Sequence, residues 1–400
     1  MNTCQSVFIP ALLWLGVLSP LQAAPMVKER LSPGCFHHLL RATQAQVPMS
    51  PFVDQVLSRL NYLPKVIEYD RSQPEFSTTF NDYLKRRVSA ARIEKGNAFL
   101  HQHQHLLRGL TQQYGVPGRY LIAFWGLETN FGAYMGKMPT LDSLATLACD
   151  NRRQDFFTAQ FTQAIQLMLR DRLDPQQMQG SWAGAMGHTQ FMPETALKYA
   201  RDGDGDGQVN LWESEADALT SSAFYLQQMG WKAGEKWGRE VLLPSGFDYA
   251  AALRTPQQSL QAWHQAGITT THHSALPALD MQARLILPAG HQGPAFLVYN
   301  NFDIILRWNR SDYYALSVGL LADRIAGYPP LKVQPPEQTP LDRYTVVRLQ
   351  QSLTQRGFDP GPADGIMGSQ TRQALQAFQV SQHLVADGFP SQQTLEKLFQ

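Results

Sequence analysis

One stretch limits the folds open to this chain: Pro117-Gly118-Arg119-Tyr120-Leu121-Ile122-Ala123-Phe124-Trp125-Gly126-Leu127-Glu128-Thr129-Asn130-Phe131-Gly132. It reads as a helix that Pro117 and Gly118 open and Asn130 to Gly132 close. Leu121, Phe124, Trp125 and Glu128 recur at helical spacing and share a face. That face is apolar except for one carboxylate. A glutamate at the end of such a stripe is poorly hydrated, and desolvation raises its pKa toward that of a working general acid. A helix-terminal Glu paired with an arginine is the plainer alternative, and the rest of the chain has to decide between them.

With 400 residues, 44% of them hydrophobic, the chain can bury a sizeable core and divide into two or three domains. A formal net charge of +1 provides no basic surface for nucleic acid and no polybasic membrane face. Val7 to Leu18 is an apolar run followed by Ser19-Pro20-Leu21-Gln22-Ala23-Ala24. It reads as a secretory signal over residues 1–24, cut near Ala23 or Ala24, with an uncleaved anchor as the alternative, and no other run approaches membrane-spanning length. Cys4 would leave with it. Cys35 and Cys149 remain as an even pair in an exported chain, so a disulfide is one reading and two separate buried thiols the other.

Residues 50–115 are helical in pattern. Phe52, Val53, Val56, Leu57 and Leu60 make one stripe, and Arg86 to Tyr114 carries another. His101 and His105 share a face, but no carboxylate or cysteine completes a metal set, so that face is expected to be solvated. Downstream, Gly180-Ser181 runs through Met186-Gly187-His188-Thr189 to Gln190-Phe191-Met192-Pro193. Small residues that admit close approach stand here beside aromatic and amide groups, the mixture a sugar site needs; a tight inter-helix connection would use similar residues.

Asp202, Asp204, Asp206, Asn210 and Glu213 then fall at positions 1, 3, 5, 9 and 12 of a loop. Gln208 offers its carbonyl at position 7 and Gly207 makes the sharp turn. A hard cation wants six to eight oxygens, so this loop is expected to hold a structural Ca2+. No organic cofactor is expected.

Helical periodicity fades over residues 231–300, where Glu240 to Leu243, Arg284 to Leu287 and Ala295 to Tyr299 read as strands of a small β-containing insert. Helix returns through Asn300 to Tyr314. Residues 329–340 form a Pro-rich, semi-rigid linker. Residues 341–400 contain an internal repeat: Asp364-Gly365 precedes Thr371 and Leu375 as Asp387-Gly388 precedes Thr394 and Leu398. Val347, Leu349, Leu353, Leu375, Phe378, Leu395 and Leu398 are its expected core.

These motifs together resemble the lytic murein transglycosylases of the MltB type (glycoside hydrolase family 103-like) with a C-terminal peptidoglycan-binding domain. The resemblance rests on Phe124-Trp125-Gly126-Leu127-Glu128-Thr129, Gly180-Ser181 through Pro193, the calcium loop into Asn210-Leu211-Trp212, Arg307-Trp308-Asn309-Arg310-Ser311 and the two Asp-Gly repeats. It implies a mainly α protein: a lysozyme-like helical catalytic domain over residues 25–328 with the β insert, and a small three-helix binding module. It implies that Glu128 is the catalytic acid/base and that Ser181 and Gln190 contact the N-acetylmuramic acid region. Phe191, Tyr225, Trp308, Asn309 and Tyr314 become substrate-binding candidates. Trp308 stands where well-known members carry Tyr, so stacking is its expected contact. The implied partners are peptidoglycan glycan strands and, further off, other cell-wall enzymes; the implied location is the periplasm.

Ordinary glycosidases flank the bond with two carboxylates. The motif run offers Glu128, and the family fixes no acid at Glu194. One carboxylate suffices if the sugar's own C6 hydroxyl attacks in place of water, leaving a 1,6-anhydro-muramyl end. A water-using muramidase and a non-catalytic peptidoglycan-binding scaffold are the rival readings.

Overall fold

The computed structural model describes residues 26–71, 78–255 and 257–400. The expected signal segment lies outside them. Contacts divide the chain into two compact units, Met1–Gln73 with Glu94–Gly230, and Pro74–Ile93 with Trp231–Gln400. Among the described residues, no helix is long and apolar enough to cross a membrane.

The first unit is helical and built around the Gly118–Thr129 helix. Its ends are those the sequence marks: extended Pro117 before it and left-handed Asn130 after it. Its burial differs from the single stripe expected. Every residue from Tyr120 to Thr129 is buried, so the helix is covered on all sides, as a central core helix must be. Helices Gln104–Tyr114 and Glu215–Gln228 pack on it. Thr140–Ala148 is likewise buried along its whole length and packs on Gln154–Arg170. In the Pro51–Ser58 stripe, Val53, Val56 and Leu57 are buried but Phe52 is exposed. The stripe from Arg86 to Tyr114 is three helices, Phe80–Arg87, Ala90–Gln102 and Gln104–Tyr114. His101 and His105 are exposed, as expected of a solvated face.

Cys35 lies in the first turn of the Pro33–Gln44 helix and Cys149 caps Thr140–Ala148; the two are joined as a disulfide with Cα atoms 5.6 Å apart. The bond closes a loop of 114 residues, which in the chain-entropy picture stabilises the fold by about 2–5 kcal/mol. Cys35→Ser is accordingly expected to lower the calorimetric melting temperature measurably. The reductant sensitivity of the wild type should vanish in the variant; an unchanged melting curve would contradict the assignment.

The second unit holds the insert, an antiparallel sheet ordered Gln257–Ser259, Gln282–Ile286, Ala295–Val298, Gly238–Leu242, Thr269–Thr270. The three longer strands are the expected ones shifted by up to two residues. The two edge strands are short and polar and carry no alternating pattern to betray them. Trp263 and Leu260 close one face over Val241, Leu285 and Leu297, with the indole N–H donating to Ala283 O (2.9 Å). Helices Asn300–Trp308 and Asp312–Ile325 follow.

The C-terminal module is three helices, Arg343–Gln355, Ser369–Ser381 and Gln392–Phe399, around Leu349, Leu353, Leu375, Phe378 and Leu398. Val346, rather than Val347, is buried. Val346, Leu349, Gln350 and Leu353 share the inner face at helical spacing, and Val347 falls off it. Each repeat is locked by a buried glutamine. Gln350 Nε2 donates to Asp364 Oδ1 and Thr371 Oγ1, while its Oε1 accepts from Gly365 N–H. Gln379 does the same for Asp387 Oδ1, Thr394 Oγ1 and Gly388 N–H.

The linker is not a free tether. Glu240 accepts from the N–H groups of Lys332 and Val333 (2.8 and 2.7 Å). Gln338 donates to Ala289 O, and Glu337 pairs with Lys85.

Candidate active site and acidic loop

Glu128 occupies the last turn of the central helix and is 5% exposed. Just beyond it Asn130, Phe131 and Gly132 all have positive φ (51°, 60° and 78°). Two non-glycine residues in that region are costly and persist where packing over-determines them. The packing here comes from the 180–193 loop. Trp125 Nε1 donates to His188 Nδ1 (2.9 Å), Thr129 Oγ1 donates to His188 O (2.9 Å), and Gly132 N–H donates to Thr129 Oγ1 (3.0 Å). A Cβ on Gly132 would run into the His188 ring.

The same loop carries the predicted sugar contacts. Gly180 pairs with Met138, and bridges link Gly180 to Met186 and Met186 to Phe191. Gly136, at φ 92°, lets the backbone pass against Gly180, where any Cβ would strike the carbonyl. Ser181 Oγ accepts from Ala185 N–H (3.1 Å). Gln190 is held at φ 52° with Nε2 donating to Met135 O and Gly187 O (3.0 Å each). Its Oε1 is buried and accepts no hydrogen bond within the protein. A buried carbonyl left so is costly unless something else supplies a donor. Phe191 packs on Tyr225, with ring centroids 5.6 Å apart, and Tyr225 on Tyr199. Glu128 thus stands on a helix end bonded to the loop that presents Ser181, Gln190 and Phe191.

Trp308, Asn309 and Tyr314 form a separate group at the junction of two helices in the second unit. Asn309 ends one helix and its Oδ1 accepts from Ser311 N–H (3.1 Å), while Ser311 Oγ caps the next at Tyr314 N–H. Asn309 and Tyr314 are buried and Trp308 is half-buried.

His188 was not assigned a role from sequence, since a histidine between Gly187 and Thr189 shows nothing of its buried partner. Burial lowers its pKa to about 4. It is therefore neutral at pH 7 and accepts at Nδ1. Its folded pKa lies below the unfolded value near 6.5, so its contribution is complete above about pH 6.5 and is lost as pH falls toward 4. His188→Gln, which keeps an acceptor, is expected to remove up to about 3 kcal/mol of acid-dependent destabilisation between those limits. Urea titrations at pH 7 and pH 4.5 for both proteins measure it; equal acid sensitivity would contradict the assignment.

The acidic loop folds as a succession of Asx-type turns. Asp202 accepts from Gly205 and Gly207 N–H, Asp206 from Gln208 N–H, and Asn210 from Trp212 and Glu213 N–H. Glu213 accepts from Asn210 Nδ2. The carboxylates whose oxygens lie within 4.8 Å of one another are Asp202, Asp204 and Asp217. Asp217 lies beyond the twelve-residue pattern and was missed. Its signal was the Ser214-x-x-Asp217 box, in which Ser214 Oγ caps Asp217 N–H. Asp217 is buried and accepts from Gly203 and Asn210 N–H (2.7 Å each). Burial, and then the Asp204 and Asp202 charges, push its carboxyl up. Three converging carboxylates on an oxygen-rich turn fit a hard divalent cation.

The transglycosylase SLT domain model matches residues 36–323, and a putative peptidoglycan binding domain model matches residues 342–398. The first match spans most of the chain, which therefore belongs to the family of lytic transglycosylases with that domain. Membrane-bound lytic murein transglycosylase B of Escherichia coli is 35% identical over 258 residues, 61% of this chain and 66% of that protein. SltB3 from Pseudomonas aeruginosa, solved in complex with NAG-anhNAM-pentapeptide, is 41% identical with a TM-score of 0.87, covering 91% of this chain and 98% of that one. Slt35 from Escherichia coli, solved in complex with calcium, is 27% identical with a TM-score of 0.63, covering 77% of this chain and 98% of that one.

Proposed function

We propose that this chain cleaves the β-1,4 bond between N-acetylmuramic acid and N-acetylglucosamine in peptidoglycan without net hydrolysis. The observation that carries this reading is the placement of Glu128. It is a buried acid on a helix end bonded, through Trp125 and Thr129, to the loop carrying Gln190. Three further acids of the first unit are buried among the described residues. Asp70 pairs with Arg152 and Arg153, Asp142 binds Asn61, and Asp217 braces the acidic loop. Glu194, which directly follows the motif run in sequence, pairs with Lys198 and accepts from Gln160.

In this mechanism the Glu128 carboxyl donates its proton to the glycosidic oxygen and the C1–O4 bond breaks. The C6 hydroxyl of the same muramyl residue attacks C1, and its proton returns to Glu128. The new C1–O6 bond gives a 1,6-anhydro end, and no water enters. An intramolecular nucleophile has an effective concentration that makes a second carboxylate unnecessary. Gln190 Oε1 has acceptor capacity to spend on a sugar N–H or O–H, and Ser181 is close in the same loop. Phe191 and Tyr225 would supply further contacts for the strand beside Gln190.

Asp202, Asp204 and Asp217, with the loop's other oxygens, would hold Ca2+. The ion would stabilise the loop and take no part in bond breaking. Cell-wall remodelling in the periplasm fits the secretory signal expected from the sequence, the disulfide and the proposed substrate. The C-terminal module would hold polymeric peptidoglycan. Deleting residues 341–400 is expected to weaken turnover of intact sacculi more than turnover of short soluble glycans, because binding through the module raises local substrate concentration only for a polymer. Equal loss on both substrates would refute that role.

A further inference from the structure

His188 joins two parts of the first unit. Its Nδ1 accepts from Trp125 and its carbonyl from Thr129, so its ring and carbonyl are bonded to the helix that carries Glu128. Its backbone N–H goes the other way and donates to Leu211 O (2.9 Å), in the last third of the acidic loop. Gly187, at φ 63°, lies against the same carbonyl, and a Cβ there would strike it. The tip of the 180–193 loop is thus seated on Leu211, which is buried.

The next residue holds the root of that loop. Trp212 Nε1 donates to Gln179 O (2.6 Å), and Gln179 belongs to the short strand that pairs with Met138–Pro139. Two consecutive residues therefore grip the loop at positions 179 and 188, on either side of Ser181. The grip is anchored in the acidic loop. Asn210 Oδ1 accepts from Trp212 N–H (3.0 Å), and Asp217 accepts from Asn210 N–H (2.7 Å). Trp212 is only half-buried, so losing its indole N–H removes a bond without opening a core.

We infer that Trp212 is a positioning residue for bond cleavage. With Leu211 it sets where the 179–191 loop stands against the Glu128 helix, and it acts through His188 rather than on the substrate. Order in the acidic loop then reaches the proton donor through three links: Asn210 to Trp212, Leu211 to His188, and His188 to Trp125. This rests on the reading of Glu128 as the acid and names a residue outside the cleft motifs that keeps it in register. A small misplacement of a reacting group costs rate steeply, while ground-state binding is little changed.

The test is Trp212→Phe in the full-length protein, which keeps a ring and loses the N–H. On a soluble glycan kcat should fall roughly tenfold with KM within about twofold of wild type. The second readout is the indole N–H spectrum of isotope-labelled protein. The Trp125 signal, identified by its absence in Trp125→Phe, should move, although Trp212 bonds Gln179 and not Trp125. A merely structural role would lower the melting temperature and leave that signal in place in the folded molecules. Wild-type kcat, or a lowered kcat with the Trp125 signal unmoved, would overturn the inference. Should Trp212→Phe fail to fold, replacing Trp212 with benzothienylalanine, the same ring shape without the N–H, carries the same two readouts. Glu128→Gln is measured beside it. An active Glu128→Gln would overturn the reading of the acid, whereas wild-type kcat in Trp212→Phe beside an inactive Glu128→Gln would overturn the role of Trp212 alone.

Discussion

Glu128→Gln is expected to lower the rate of bond cleavage in peptidoglycan by at least about three orders of magnitude, near the upper range for loss of a general acid–base group. The size follows from the chemistry. In the proposed mechanism one carboxyl both protonates the leaving oxygen and receives the proton of the C6 hydroxyl, so the amide would remove both steps at once. Glutamine nearly matches glutamate in volume, so the buried helix end around Trp125, His188 and Thr129 should stay in place. Sacculus binding and the melting temperature should therefore be close to wild type. A variant that keeps a tenth of the activity would show that Glu128 is not the proton donor.

Asp217→Ala is expected to have the largest effect on stability outside the core. It leaves the N–H groups of Gly203 and Asn210 without their acceptor and removes the buried member of the carboxylate trio. Each orphaned N–H costs about 1–3 kcal/mol. Where calcium is bound, linkage adds about 2.7 kcal/mol at a hundredfold excess over Kd, and the variant forfeits it. Wild type should melt at a higher temperature with millimolar Ca2+ than with a chelator, and Asp217→Ala should melt low in both. A wild type indifferent to Ca2+ would remove the ion from the account; a variant as calcium-responsive as wild type would remove Asp217 from the site.

Much of this was legible from residues. Pro117 and Asn130 bound the central helix because ring geometry and left-handed backbone punctuate a helix locally. The Asp-Gly repeats and the long strands of the insert are equally local signals, whereas the pairing of Cys35 with Cys149, 114 residues apart, is open until the chain folds. What escaped depends on partners far away in sequence. Periodicity placed Leu121, Phe124, Trp125 and Glu128 on one stripe, but tertiary packing buries Tyr120, Ile122 and Ala123 as well. His188 is defined by a bond to Trp125, 63 residues away. The linker reads as a semi-rigid spacer from its prolines, yet Glu240 and Ala289 fix it along the insert, which no composition reveals. Gln350 and Gln379, the buried centres of the two repeats, look like ordinary polar helix residues until their loops fold around them.

The central claim is that the sugar, and not water, captures the broken bond. Mass spectrometry of muropeptides released from purified peptidoglycan, by wild type and by Glu128→Gln, tests it directly. The account predicts muramyl ends one water lighter than reducing ends with the wild type, and none with the variant. Reducing ends from the wild type would contradict it and make the enzyme a hydrolase with a second catalytic group to be found.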